Sequence, residues 1–264
     1  VSYVEIPLPR LAIVIGLIAL AVALSRASRL DLERDLIWGA VRGAVQLLAI
    51  GHVLLLLFVN ERPWWVLLAL GVMLVVAAAT SARRVEHGPP ARTLFPYALA
   101  SIAVGAATAL VPVFALVVRP WYEARYLVPI SGMMLASAMN VVAQVFERIF
   151  AAAHAHAGEI EQLLALGATP AQALRRHVRA TVRAAMIPTI NGLLTVGLVA
   201  LPGMMTGQIV SGTAPEQAVR YQIVILYQLV AVAAVSGLLS VGFARRLLFT
   251  PRAQLRLPRR GREA

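Results

Sequence analysis

Long apolar runs alternate with short arginine-bearing segments along the whole chain, and the runs set the architecture. They fall near 8–24, 37–59, 64–81, 94–118, 127–148, 187–210 and 221–243. Each approaches or exceeds the ~20 residues that a helix needs to cross the hydrocarbon layer. The pattern predicts seven helical spans and termini on opposite sides of the membrane. The expected fold class is therefore all-α, a polytopic integral membrane protein with one transmembrane domain over 1–264. A cytoplasmic segment of about 150–186 separates the fifth and sixth spans, and a basic tail covers 245–264. No small-residue cleavage site follows the first span and six more spans do, so it reads as a retained helix rather than a signal peptide.

Composition agrees with the pattern. With 60% hydrophobic and 14% charged residues and a mean hydropathy of +0.79, too little polar surface remains to coat a soluble core. The chain has no Lys, so orientation is read from Arg alone. With the N-terminus outside, the segments 25–36, 82–93, 148–186 and 244–264 hold eighteen Arg and the outward segments five, with Arg42 inside a span. This asymmetry predicts a plasma (inner) membrane protein with its N-terminus out and its C-terminus cytoplasmic. Topology and anionic lipid then account for the net charge of +12, and no nucleic-acid partner is needed.

Several chemistries lack their residues. A P-loop needs a Lys to reach the terminal phosphates, so any ATP hydrolysis, with its Mg, belongs to another polypeptide and this chain is expected to hold no cofactor and to be no enzyme. There is no His-Glu-x-x-His pair, no Gly-x-Ser-x-Gly elbow and no Cys. Asp31, Glu33 and Asp35 alternate with Leu32 and Arg34, and residues two apart point to different sides of a helix; they are read as a solvated interfacial helix over 28–36. His154 and His156, close to Glu147 and Glu159, suggest either a cytoplasmic metal-capture site or a solvated loop; the i, i+2 spacing, which shares no helix face, suits the loop.

Residues 159–186 look like a docking element. Gly167 is a C-terminal stop, and Thr169, Pro170 and Gln172 supply an N-cap, a first-turn Pro and a capping-box partner, which predicts helix, sharp turn, helix. Along the second helix Gln172, Arg175, Arg176, Arg179 and Arg183 share one sector, with Leu174, Val178 and Val182 beside them, so it is expected to lie along the membrane surface. An ordinary interfacial helix needs the same faces. The first half adds more: Glu161, six residues before Gly167, resembles the cytoplasmic "EAA" loop of ABC-transporter permeases, which docks into the ATPase. The Pro expected about a dozen residues after the Gly arrives late, at Pro188.

Polar groups inside a span are costly unless they face protein, water or cargo, so they nominate a pathway. Arg42 and Gln46 share a helix face beside Gly39 and Gly43; helix packing and substrate contact are both readings of this intramembrane polar pair. A second group is Ser131, Met133, Met134, Asn140 and Gln144 on the fifth span and Asn191, Met204, Met205, Thr206 and Gln208 on the sixth. Pro202-Gly203 predicts a kink or unwinding there, with carbonyls freed. Paired Met thioethers beside free carbonyls suit a soft metal ion, and Met equally fills irregular space; the metal ligands stay unassigned. Thr213 to Glu216 reads as the cap of the last span.

A resemblance covers most of the chain. Glu33-Arg-Asp35 leading to Arg42, Gln46 and Gly51, then Pro129-Ile-Ser-Gly132-Met133, Leu166-Gly-Ala-Thr169, and Gly197-Leu-Val-Ala-Leu-Pro202-Gly-Met-Met-Thr-Gly207 with Pro215 and Tyr221-Gln-Ile223 look like the Fet-type (FetB-like) permease family. That family includes an iron-export permease and plant aluminium-sensitivity proteins. The resemblance implies the membrane half of an ATP-driven exporter of iron or another metal, a homodimer working with a separate FetA-like ABC ATPase. Ala136-Ser137 stands where the family commonly has Gly-Asn, a departure at a doublet of the fifth span. On this reading Glu161, Gly167, Arg175, Arg176 and Arg179 contact the ATPase, and Met133, Met134, Asn140, Gln144, Asn191, Pro202, Met204, Met205 and Gln208 border the pathway. A scaffold that recruits a soluble partner, a passive channel, and a sugar conjugate as cargo are the alternatives. A permease brings several of Asn140, Gln144, Asn191 and Gln208 to one cavity, and a scaffold has no need to. The lack of a long outward loop favours export.

Overall fold

The computed structural model describes residues 8–59, 62–116 and 122–257, which form two compact units divided after residue 61. In the first unit, α1 (Leu8–Ala27) and α2 (Glu33–Val59) pack together as a helical hairpin. The interfacial helix expected over 28–36 is instead a tight turn: Arg29 and Asp31 take left-handed φ of 50° and 55°, which no helix accommodates, and α2 begins only at Glu33. Asp31 is part of that turn, while Glu33 and Asp35 lie in the first turn of α2. The buried Ser25 hydroxyl donates to Glu33 Oε1 at 3.0 Å and accepts the Leu32 N–H at 3.2 Å.

The second unit comprises α3 (Pro63–Arg83), α4 (Ala91–Leu116), α5 (Ala124–Ala155), α6 (Ala157–Ala165), α7 (Pro170–Ala173), α8 (Arg175–Thr195), α9 (Gly203–Val210) and α10 (Pro215–Leu248). Among the described residues α3, α4, α5 and α10 are long and apolar enough to cross a membrane, and Ile15–Ala27 is a shorter apolar stretch. With no strand among the described elements, this is an all-α, multi-pass membrane protein. The helix α5 runs through its centre, touching α3, α4, α8 and α10, and buries Met134, Val142, Phe146, Ile149 and Phe150.

Lipid tails are as apolar as Leu, so packing within the layer rests on close approach and on shared polar groups rather than on water expulsion. Both are present. At Gly105 of α4 a Cβ would overlap Ser236 of α10, and at Gly237 one would sit 3.2 Å from Val141 of α5. Gln228 Nε2 donates to the Ala109 carbonyl at 2.9 Å, and Ser81 Oγ to the Met139 carbonyl at 2.7 Å.

The sixth span departs from expectation. The apolar run places one span over 187–210 with a kink or unwinding at Pro202-Gly203; the structure ends α8 at Thr195, leaves 196–202 irregular, and starts α9 at Gly203, so the break is an unwinding that begins earlier than expected. Gly197 takes a φ of 80°, Pro202 brings no N–H, and the residue before a proline avoids helical backbone, so the helix stops a turn or more before the proline. Nor does a separate surface helix end near 186: α8 runs unbroken from Arg175 through Pro188 to Thr195. At 1.5 Å per residue the break lies ~18 Å along the helix beyond Arg183. The cap of α10 is also simpler than expected, with Pro215 in the first turn and no side-chain cap bond.

Candidate functional site

Two features flank the same pair of helices. The first is the element between α5 and α8. Helix α6 closes with Gly167 at a φ of 88° and the Ala168 N–H on the Leu163 carbonyl at 2.9 Å, the left-handed helix stop. Thr169 then caps α7 with both halves of the capping box, Gln172 N–H to Thr169 Oγ1 at 3.3 Å and Thr169 N–H to Gln172 Oε1 at 2.8 Å. The stop and the cap fix the turn rigidly from both sides, and Leu166 stands on it 84% exposed.

Glu161 is exposed, as are Arg175, Arg179 and Arg183, while Leu174, Thr181 and Ala185 are buried, so the Arg sector predicted for the second helix is present. Arg176 is exposed too and reaches the Glu159 carboxylate at only 3.9 Å. Glu159 is the hub holding α6 to the start of α8, with His156 Nδ1 at 3.6 Å and His177 Nε2 at 4.0 Å, and the two imidazoles stacked 4.7 Å apart. Burial, helped by His156 and Arg176 and opposed by Glu159, holds His177 below the usual imidazole value. Sequence reasoning named Glu159 only beside His154 and His156, gave Leu166 no role beyond the family motif, and missed His177; the i, i+3 spacing of His156 and Glu159 was the signal for the hub.

Glu147 is engaged in a different way. Its Oε2 accepts the backbone N–H groups of Glu86 at 2.7 Å and His87 at 3.3 Å, and its Oε1 meets His87 Nδ1, so α5 clamps the loop between α3 and α4. His154 Nδ1 bonds the Phe150 carbonyl of its own helix at 2.9 Å. His154 and His156 thus belong to different clusters.

The second feature is a cavity of about 310 Å³ between α5, α8 and α10. Ser137, Asn140 and Gln144 face it from α5, and Pro188, Thr189 and Gly192 from α8, with Leu226 and Leu229 closing the α10 side. Arg84, at the end of α3, donates to Asn140 Oδ1 at 3.3 Å. Two of the four amides named from sequence, Asn140 and Gln144, therefore converge. Asn191 is exposed outside the lining, and Gln208 lies on α9, its Oε1 buried without a partner. Met134 is fully buried in the core, Met133 half-buried nearby, and Met204 and Met205 half-buried on α9. None of these Met residues lines the cavity. Pro202 caps the start of α9, its carbonyl accepting the Thr206 N–H at 3.0 Å. Arg42 and Gln46 are exposed on α2 in the other unit. Thr189 is a lining residue that sequence reasoning passed over, because a hydroxyl in an apolar helix usually bonds its own backbone, while Ser137 was named only in the doublet that departs from the family.

A family model described as "Uncharacterised protein family (UPF0014)" matches residues 8–249. A UPF0014 membrane protein of Synechocystis is 38% identical over 200 residues, covering 75% of this chain and 76% of that protein. The rice UPF0014 membrane protein STAR2 is 39% identical over 197 residues, with coverage of 75% and 68%. The probable iron export permease protein FetB of Escherichia coli is 33% identical over 202 residues, 76% of each chain. No solved structure matches the chain.

Proposed function

Since the chain belongs to the UPF0014 family of membrane proteins, we propose that it is the membrane-spanning permease subunit of an ATP-driven exporter, with hydrolysis on a separate FetA-like ABC ATPase. The observation that carries this reading is the turn at Leu166-Gly167, in the segment joining the two helices, α5 and α8, that also wall the cavity holding Asn140 and Gln144. A partner pulling on that turn moves both walls at once, which is what alternating access requires. Glu161, Arg175, Arg176 and Arg179, exposed around the turn, are the coupling contacts, with the C-terminus and this segment cytoplasmic in accord with the Arg asymmetry.

The homodimer reading is supported by residues 196–201. Irregular backbone within the apolar layer is tolerated only where protein or a water-filled cavity covers it, yet Leu198 and Val199 are 89% and 83% exposed in the single chain. A second copy at this face supplies the cover. The cargo, by likeness to FetB, is iron or another metal ion.

The convergence of Ser137, Asn140, Gln144 and Thr189 favours a permease over a scaffold that merely recruits a partner. The deciding experiment is ATP hydrolysis by a candidate ATPase co-reconstituted with the chain in liposomes. Hydrolysis stimulated by cargo, and lost on Glu161→Arg, establishes coupled transport. A complex that forms and is never stimulated by any cargo establishes the scaffold.

A further inference from the structure

The cavity between α5, α8 and α10 is mostly apolar, with a few polar groups set into its lining. Its lining donors, Ser137, Asn140, Gln144 and Thr189, are all uncharged, and no Asp, Glu, His or Met joins them. A metal cation stripped of water needs anionic or soft ligands in compensation, and hard cations favour carboxylates. The chain offers none here. Helices α8 and α9 have no acid, α10 has only Glu216 at its far end, and between Glu123 and Glu147 α5 has none.

The charged group bonded to the lining is a cation. Arg84 Nη1 donates to Asn140 Oδ1, so a guanidinium occupies the oxygen that a cation would seek. Glu147, one turn from Gln144, is the acid nearest along the helix, and its oxygens are taken by the Glu86 and His87 N–H groups and the His87 ring. Glu86 and Arg148 are exposed beside it, and Arg183 is exposed on α8 two residues before the lining begins at Ala185. A planar guanidinium presents a fork suited to carboxylate or phosphate, while the amides and hydroxyls behind it suit further oxygens.

We propose that this cavity admits an anionic, oxygen-rich solute through the rim marked by Arg84, so that a metal ion enters only inside an anionic chelate and not as a bare cation. The inference rests on reading the cavity as the pathway. It is tested on the permease by itself, so that it fails separately from the coupling to an ATPase.

The full chain in nanodiscs of zwitterionic lipid is titrated with ferric citrate, with citrate, and with ferrous ion kept reduced. The expected result is saturable binding of the anionic probes, weakened about tenfold by Arg84→Gln, the loss of one charge-assisted bond, and restored only in part by Arg84→Lys, which keeps the charge and loses the fork. Thr189→Val, on the opposite wall and nearly isosteric, weakens it too. Arg84 is exposed, so these variants are expected to keep the parent's melting temperature. The sign at Arg84 decides the matter: ferrous ion that binds saturably and more tightly in Arg84→Gln overturns the proposal, as does the absence of saturable binding by both anionic probes.

Discussion

Replacing Leu166 with Ala tests the coupling turn where its geometry is most specific. Leu166 is 84% exposed, held between the end of α6 and a left-handed glycine, so a partner can bury almost the whole side chain without reshaping the loop. Leu→Ala removes three aliphatic carbons at ~0.8 kcal/mol each, about 2 kcal/mol once the residual exposure is discounted, which corresponds to a roughly 30-fold weaker dissociation constant for the ATPase. The side chain touches little in the free chain, so the melting temperature of the permease should not move. The assay is binding of the purified ATPase to the permease in nanodiscs, with Glu161→Arg alongside. Affinity within twofold of the parent for Leu166→Ala, with a clear loss for Glu161→Arg, would place docking on the α6 face rather than on the turn. No change in either variant would refute the assignment of this element as the coupling site.

Other consequences follow from single contacts. Gly105→Val is expected to force α4 away from Ser236 of α10, lowering the melting temperature in detergent by an amount equivalent to about 1–3 kcal/mol of overpacking; an unchanged transition would mean the helices separate there at little cost. Thr169→Ala removes the α7 cap and should cost about 1 kcal/mol locally, seen as faster amide exchange over 170–174 while α5 and α10 stay protected. Glu147→Gln should loosen the loop over 84–90, read as new proteolytic cleavage there; a loop equally resistant in the variant would show that Gly88 packed against Phe150 suffices to hold it. The His177 pKa in the folded chain lies below its usual 6.5, so the folded junction takes up a proton less readily than the unfolded chain. Stability of the α6–α8 junction is then complete above that value and lost as pH falls through the folded one, which amide exchange of α6 at pH 7.5 against pH 5.5 detects as faster opening in acid.

Much of the membrane architecture was legible because it rests on local quantities. Apolar run length locates the described helices α1 to α4 closely and finds α5 and α10, which extend by up to seven residues beyond the predicted spans, since each helix satisfies its own backbone whatever its neighbours do. The turn after α6 was legible for the same reason: Gly167, Thr169, Pro170 and Gln172 act on bonds within four residues. Errors arose where two local rules competed. A kink or unwinding was expected at Pro202-Gly203, but the helix already ends at Thr195, ahead of Gly197 with its positive φ, and Pro188 sits inside α8 without breaking it.

By itself, then, the sequence determined a multi-pass all-α membrane protein, the rigid turn around Gly167 and the Arg face of α8, because hydropathy, helix caps and residue spacing along one helix act over short range. Only the tertiary structure decided which polar residues meet. It joined Asn140 and Gln144 to Thr189 across two helices, gave Asn140 to Arg84 and Glu147 to the loop before α4, and left Asn191 and Gln208 elsewhere. The pairing of side chains between helices depends on crossing geometry and on how closely small residues such as Gly105 and Gly237 let them approach, and neither is written in the periodicity of any one helix.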